Sequence, residues 1–298
     1  VLSVGMCREY RERLSGIADR FHRGLYVVEL GDLKSRFDFD IDTRGFDISA
    51  MARLFAPQVL PETVTRALYL DCDTIVCQSI RPLYETDLGD CLVGMVMEPT
   101  VYEEMKASIG LQKDDPYYNS GVLLMDLGGW RREGVLGRLL DFYKSCQGRL
   151  FACDQDTING ALKGRIKTLP VKYNYFTNYR YFRYATLCSL CGAYREVGEE
   201  AYREAGKAPA VIHYLGDERP WIAGNHNHFR KLYEYYLAKT PWKDTPKQRG
   251  KERYMHMWWV FNRLTWICPP FRLWISRCLG MKLVDSRRKY VKSYYVKS

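Results

Sequence analysis

Two carboxylates two residues apart close an apolar run in Ala67-Leu68-Tyr69-Leu70-Asp71-Cys72-Asp73-Thr74. On a strand, residues i and i+2 share a face, so Asp71 and Asp73 are expected to converge where a buried strand ends. Two such charges roughly 4 Å apart repel by about 4 kcal/mol at an effective dielectric of about 20. The pair persists if one carboxyl is protonated, if water separates the two, or if a cation bridges them. Hard divalent cations prefer such oxygen ligands and carry substrate phosphates as well. Asp-x-Asp also occurs at Asp38/Asp40, Asp40/Asp42 and Asp154/Asp156, but no apolar run precedes the first two, which read as solvated loop. The bland alternative for Asp71 and Asp73 is a strand-end pair that only caps the next turn.

The surrounding pattern must supply the elements that hold this pair. Leu14, Ile17, Ala18 and Phe21 mark one face of a helix near Glu9–His22, and a strand is expected over Leu25–Leu30. A helix near Ile48–Phe55 precedes the Leu68–Asp71 strand, and Leu92–Met97 and Gly121–Leu127 read as further strands. Val135, Leu136, Leu139, Leu140 and Tyr143 give another helix face. Asp154–Leu162 is expected to open a helix capped by Asp154 or Asp156, and Val211–His213 to end a short strand. Alternation of this kind predicts an α/β fold, a mixed and mostly parallel sheet flanked by helices. Ligands of such sheets bind beyond the carboxyl ends of the strands, where Asp71 and Asp73 are placed.

The 298 residues carry a net charge of +10, and its distribution is uneven. From Tyr254 to Ser298 there are nine Lys or Arg and one Asp, a net of +8, so the body before them is nearly neutral. That excludes a protein that is basic throughout for wrapping nucleic acid. Residues 1–240 read as one domain. The polar, proline-containing stretch Thr240–Gly250 reads as a linker, and residues 241–298 as linker plus a basic, aromatic segment. In that segment Trp258, Trp259, Phe261, Trp266, Phe271 and Trp274 interleave with Arg263, Arg272 and Arg277, and Pro269-Pro270 interrupts it. Such a mixture suits the headgroup layer of an anionic membrane, where each basic side chain adds about 1 kcal/mol. The competing reading packs the aromatics on the body and leaves the basic end solvated. No base-stacking module surrounds it, so no nucleic-acid partner is expected. Neither a signal peptide nor a long uncharged apolar run stands out, and with the basic, aromatic segment a cytoplasmic protein, peripheral on the inner face of the membrane, is expected. The ten cysteines form no regular disulfide framework, and Cys188-Ser189-Leu190-Cys191 is a lone C-x-x-C without a second pair.

Three further segments carry polar chemistry. Tyr118-Asn119-Ser120-Gly121 puts small polar groups just before a buried strand, and Asp154-Gln155-Asp156 puts acid and amide groups at a helix start. Ile212-His213-Tyr214-Leu215-Gly216-Asp217-Glu218-Arg219 puts a His at a strand end, then a glycine turn, then a cation. With the Asp71/Asp73 strand, these segments resemble glycosyltransferase family 8 in order and spacing over roughly residues 1–229. That family, which includes lipooligosaccharide galactosyl- and glucosyltransferases and the glycogenins, has the Rossmann-like GT-A fold and transfers a sugar from a nucleotide with retention of configuration.

The resemblance implies a role for each matched position. Asp71 and Asp73 match the acidic pair that holds Mn²⁺ (with Mg²⁺ as the substitute), Cys72 lies between them at the donor, and His213 matches the third metal ligand. Mixed carboxylate and imidazole ligation suits Mn²⁺ better than Ca²⁺. Gly216 and Arg219 match the turn and cation at the diphosphate; the family usually has Lys where Arg219 stands, and Arg offers a planar fork in place of a point charge. Asn119, Asp154 and Gln155 match residues around the donor sugar, with Asp154 and Gln155 the candidates for catalysis on its far face. Arg53 matches an arginine that reaches the sugar or phosphates. The family's first strand, which binds uracil and ribose, reads as missing, so no base-binding residue is assigned. The implied reaction moves galactose or glucose from a UDP-hexose to a hydroxyl of a glycan or glycolipid, in lipopolysaccharide or capsule assembly.

Each of these residues has an ordinary structural reading too: His213 as a core histidine, Asp154 as a helix cap, Asn119 as a turn residue, Arg219 as a surface charge, Arg53 as an ion-pair former. Two rival functions fit parts of the sequence. Leu70-Asp71-Cys72-Asp73-Thr74 also fits the first motif of haloacid-dehalogenase-like phosphatases, with Asp71 as nucleophile. That family needs a strand-end acidic pair, and Asp114-Asp115, the only adjacent Asp pair, follows no strand. The other rival is a catalytically inactive glycan-binding protein on a membrane.

Overall fold

The computed structural model describes residues 1–275 and Cys278. The chain falls into two compact units. The first comprises Val1–Tyr69, Leu88–Gly94 and Leu124–Lys167; the second comprises Leu70–Asp87, Met95–Leu123 and the chain from Thr168 onward.

The described strands are β1 (Leu2–Ser3), β2 (Val28–Glu29), β3 (Arg66–Leu70), β4 (Thr74–Val76), β5 (Val93–Met97), β6 (Tyr118–Asp126), β7 (Ile166–Thr168) and β8 (Val211–His213). β1 and β2 pair in parallel, β4 and β8 pair antiparallel, and a four-stranded sheet has the order β3-β6-β5-β7. β5 is buried throughout and β6 up to Asp126, as expected for strands covered on both faces. β3 is only half-buried along its length. The β4–β8 register sets Thr74 opposite His213 and Val76 opposite Val211. That register brings a histidine from late in the chain next to Asp73.

Helices flank these strands. The first unit holds the helices Arg8–Arg20, Val135–Ser145 and Cys153–Ala161, and its core gathers Leu33, Met51, Leu54, Phe55, Trp130, Leu139, Tyr143 and Ile158. Phe37 meets Phe55 and Tyr143 edge to face. The helix expected near Ile48–Phe55 is present and takes the 3₁₀ form. Pro57 has no N–H to donate to the carbonyl of Arg53, so the α ladder cannot run through that point. The Asp47 carboxylate starts the segment by accepting from the Ser49 N–H at 2.8 Å. The expected strand Leu25–Leu30 shrinks to two residues, because β1 offers only Leu2 and Ser3 as partners.

The second unit is rich in buried tyrosine. The hydroxyls of Tyr179 and Tyr194 both donate to the carbonyl of Met97, and the Tyr202 hydroxyl donates to the carbonyls of Tyr179 and Phe182 at 2.6 and 3.0 Å. Burial pushes all three phenols up, so they serve as neutral donors that tie loops to strand ends. The stretch Thr240–Gly250 is anchored: Gln248 donates to the carbonyl of Trp221, and the Ala223 N–H donates to the carbonyl of Gln248. Two helices follow, Glu252–Ile267 and Pro269–Ile275, the second opening on a proline, which suits a first helical turn. Met255, Asn262, Thr265 and Arg272 are buried, while Met257, Leu264, Trp266, Ile267, Phe271 and Trp274 are exposed. Among the described residues no helix is long and apolar enough to cross a membrane. The basic positions from Arg277 onward lie outside the described residues.

Candidate active site

Asp71 ends β3 with its N–H donating to the carbonyl of Gly121 at 2.8 Å. Cys72 and Asp73 then form a turn into β4, closed by the Thr74 hydroxyl, which donates to the Asp71 carbonyl at 2.8 Å. The two carboxylates therefore converge through a tight turn, not through strand alternation as the spacing alone suggested. The Tyr214 N–H donates to the Asp73 carbonyl at 2.8 Å and fastens this turn to the end of β8.

His213 Nε2 lies 3.1 Å from an Asp73 carboxylate oxygen and 3.7 Å from one of Asp71. One ligand atom from each of the three residues falls within 4.8 Å of the others. Among the described residues this is the one grouping of three or more such side chains that could hold a metal ion. His213 is buried, whereas the side chains of Asp71 and Asp73 are 22% and 23% exposed, so the open side of the cluster is the carboxylate side. Burial pushes the Asp73 carboxyl up, but the His213 imidazole and the Arg219 charge outweigh it and hold Asp73 below the usual carboxylate range. Two oxygens and one nitrogen this close together could hold a divalent cation. Cys72 is exposed in the turn between the two acids.

The imidazole fits closely against strand β6. A methyl group on Gly121 would come within 2.2 Å of His213 Cε1 and 2.6 Å of Nδ1, so only glycine admits the ring there. Asn119 lies inside β6, not before it, because its side chain is paired internally. Its Oδ1 accepts from the Gly121 N–H at 2.9 Å, and its Nδ2 donates to Glu98 at 2.9 Å.

Gly216 has φ of +79°, the left-handed conformation that glycine adopts without strain. The turn it makes leads to Asp217, Glu218 and Arg219. Arg219 is exposed, its guanidinium 5.6 Å from the centre of the Trp221 ring. Glu218 is buried and accepts from Tyr181 at 2.6 Å and Asn262 at 2.8 Å; burial pushes its carboxyl up against these bonds. The Tyr254 hydroxyl donates to Asp217 at 3.0 Å. Arg272, which reads in sequence as a membrane-facing charge, is instead buried 3.9 Å above the Tyr181 ring and donates to Asn262 and Thr265. Tyrosine, tryptophan and phenylalanine rings around it supply cation–π attraction.

The remaining predicted residues lie in the first unit. Arg53 is buried, its Nε donating to the carbonyl of Ala50 at 2.9 Å and lying 3.2 Å from Asp154 Oδ2. Its guanidinium stands 4.6 Å over the ring of Tyr69, a partner the sequence did not suggest. Asp154 and Gln155 are in the first turn of the helix Cys153–Ala161. Neither Asp154 nor Asp156 occupies the cap, which is Ala152; Asp156 instead reaches back to accept from the Ala152 N–H at 2.7 Å. The helix simply starts one residue earlier than expected, which frees Asp154 to pair with Arg53. Among the described residues no cysteine is joined in a disulfide, the C-x-x-C pair included, and Cys191 lies 3.5 Å from the buried Lys106 amine.

A cavity of about 840 Å³ opens in the second unit, lined by Glu98, Tyr102, Lys113, Asn178, Tyr181 and Trp258 among others. Carboxylate, amine and aromatic faces of this kind can grip hydroxyl-rich ligands. Sequence reading missed Glu98 and Asn174, which carry no motif; the glycine in Asn119-Ser120-Gly121 was the available signal of close packing.

Comparison with known proteins places this arrangement. General stress protein A of Bacillus subtilis (strain 168) is 24% identical over 245 residues, covering 81% of this chain and 82% of its own length. Lipopolysaccharide 1,2-glucosyltransferase of Escherichia coli (strain K12) is 28% identical over 217 residues, covering 69% of this chain and 60% of its own. Among solved structures, the galactosyltransferase LgtC in complex with donor and acceptor sugar analogs superposes with a TM-score of 0.68 at 24% identity, over 81% of this chain and 84% of that one. The likeness establishes the GT-A fold. The sequence pattern of Glycosyl transferase family 8 matches residues 7–224, a span that takes in the Asp71–Asp73 turn, the Asn119 strand, the Asp154 helix and the His213–Arg219 segment. With the family's pattern running through each of these segments, the chain belongs to glycosyl transferase family 8 and is a glycosyltransferase.

Proposed function

We propose that the protein transfers a hexose, galactose or glucose, from a UDP-sugar to a hydroxyl of a glycan or glycolipid, with retention of configuration and dependence on Mn²⁺ (or Mg²⁺). The observation that carries this reading is the convergence of Asp71, Asp73 and His213 within 4.8 Å. When bound, the cation neutralises the charge that builds on the departing diphosphate. Asp71 and Asp73 would hold it through oxygen and His213 through Nε2. Arg219 adds positive charge for the same phosphates, on a turn that Gly216 permits. Asp154 and Gln155 are proposed to act on the donor sugar, and Arg53 to orient Asp154 and the donor. Cys72 and Asn119 are proposed to line the donor.

The 840 Å³ cavity is the acceptor's proposed place, its aromatic and carboxylate lining suited to sugar rings. The name of one similar protein, a lipopolysaccharide glucosyltransferase, supports a lipid-linked glycan as acceptor, and the inner face of a membrane is the proposed place of transfer. A panel of nucleotide sugars, each incubated with Mn²⁺ and with EDTA, tests the reaction. One UDP-hexose is expected to release free UDP with Mn²⁺ and none with EDTA. Hydrolysis of aryl phosphates instead would favour a phosphatase. Tight binding of the donor without turnover on any acceptor would favour a glycan-binding protein.

Membrane contact is proposed through the exposed side chains of Met257, Leu264, Trp266, Ile267, Phe271 and Trp274. Burying one large apolar side chain contributes about 1.5–3 kcal/mol. Trp266→Glu and Trp274→Glu are each expected to weaken binding to anionic vesicles about tenfold, read by co-sedimentation. Unchanged sedimentation of the double variant would place the contact elsewhere.

A further inference from the structure

We propose that a one-directional hydrogen-bond chain, Glu98–Asn119–Asn174–His213, fixes the His213 imidazole with its proton on Nδ1 and so presents the Nε2 lone pair to Asp71 and Asp73. Asn174 is the positioning residue that makes this happen. The proposal deepens the metal-dependent reading given above and rests on it for its purpose, though not for its geometry.

The direction of the chain is set at Asn119, whose amide is held at both ends. Its Nδ2 lies 2.9 Å from a Glu98 carboxylate oxygen, which as a carboxylate can only accept. Its Oδ1 lies 2.9 Å from the Gly121 backbone N–H, which can only donate. Turning this amide over would set oxygen against oxygen and N–H against N–H. The same Oδ1 accepts from Asn174 Nδ2 at 2.7 Å, which leaves Asn174 Oδ1 as the atom 2.9 Å from His213 Nδ1. An amide oxygen accepts, so Nδ1 carries the proton. In the neutral form of the ring that is the one proton, and Nε2, 3.1 Å from Asp73, then offers its lone pair.

Burial prevents water from replacing any link: Asn119 is 7% exposed, Asn174 0% and His213 4%. The backbone holds the two ends in register. The Tyr175 N–H donates to the Val211 carbonyl and the His213 N–H donates to the Tyr175 carbonyl, both at 2.9 Å, so Asn174 stays beside the ring. Phe176 meets the ring edge to face on the same side of the chain. With Nδ1 committed to Asn174, the gap between Nε2 and the two carboxylates calls for positive charge, either a proton on Nε2 or a metal cation in its place. The chain therefore prepares the imidazole as a ligand before any metal arrives.

Two measurements on the full-length protein test this. Two-bond ¹H–¹⁵N correlation spectra of the EDTA-treated protein, with His213 assigned by its absence in His213→Gln, should show the neutral ring protonated on Nδ1. Titration with Mn²⁺, read calorimetrically, should show Asn174→Leu binding about 10–100-fold more weakly than wild type. Asn174→Asp, which still accepts from Nδ1, should keep the tautomer and recover part of the affinity. Wild-type protein with the proton on Nε2 would overturn the proposal. So would a folded Asn174→Leu, by circular dichroism and melting temperature, that binds Mn²⁺ as wild type does. Should Asn174→Leu not fold, the wild-type tautomer decides alone. An Nδ1 proton in a wild-type protein that takes up no divalent cation would support the chain of bonds and remove the metal reading instead.

Discussion

Asp73→Asn is expected to lower kcat/KM for Mn²⁺-dependent release of UDP by roughly 10³-fold, an effect of about 4 kcal/mol, within the several kcal/mol that a metal Lewis acid supplies. Asp73 is the carboxylate nearest His213, at 3.1 Å, and the one held below its usual range by that imidazole and by Arg219. Its replacement leaves a neutral oxygen where a charged ligand stood. Excess Mn²⁺ should not restore the rate. Folding should be largely spared: the substitution relieves the repulsion from Asp71 while giving up the attraction of His213 and Arg219, so the metal-free variant is expected to melt within a few degrees of wild type. Near wild-type turnover in the variant would strip the acidic pair of its role. A collapsed melting temperature would show that the pair is architectural instead.

Gly121→Ala is expected to be as damaging as loss of His213 itself, although position 121 offers no side-chain chemistry. The added methyl would sit 2.2 Å from one ring atom of His213, 2.6 Å from another and 3.0 Å from Asn119 Oδ1. A buried ring held by Asn174 has nowhere to retreat, so the ring leaves its position opposite Asp73 or β6 shifts. Overpacking of this kind costs about 1–3 kcal/mol of stability. The variant should therefore fold at a lowered melting temperature and show the Mn²⁺ affinity of His213→Ala. Wild-type affinity in a folded Gly121→Ala would mean that the imidazole does not contribute to the site. Gly137→Ala, where no atom stands within 4 Å of the added carbon, is the matched control and should be silent.

The sequence revealed the three clustered residues because Asp71 and His213 end apolar runs and Asp73 stands two residues beyond the first of them, and chain ends of strands are where polar groups can face a ligand. It misjudged how they converge: the acids meet through a turn tied by Thr74, and the histidine arrives by the antiparallel register of β4 with β8. The partners that orient the histidine were invisible. Asn174 is 39 residues from His213 and 55 from Asn119, and an amide in an irregular segment leaves no periodic trace. Asp154 shows a different limit. A carboxylate at a helix start satisfies capping statistics equally well whether it caps or, as here, faces a buried arginine more than a hundred residues earlier. Arg272 shows a third: among aromatics, a cation reads equally as a headgroup contact or as the filling of an aromatic cage, and only tertiary packing separates the two.

The pairing of Tyr254 with Asp217 and of Asn262 with Glu218 makes the helix Glu252–Ile267 a lever. Its outer arm carries the exposed Met257, Leu264, Trp266 and Ile267; its inner arm ends on the two residues between Gly216 and Arg219. Pulling that arm outward must either break two polar contacts, one of them wholly buried, or drag the guanidinium of Arg219 with it. Trimming the chain ahead of Tyr254 would thus do more than shorten it: it would unpin the stretch that carries this guanidinium and leave a buried carboxylate facing an empty socket.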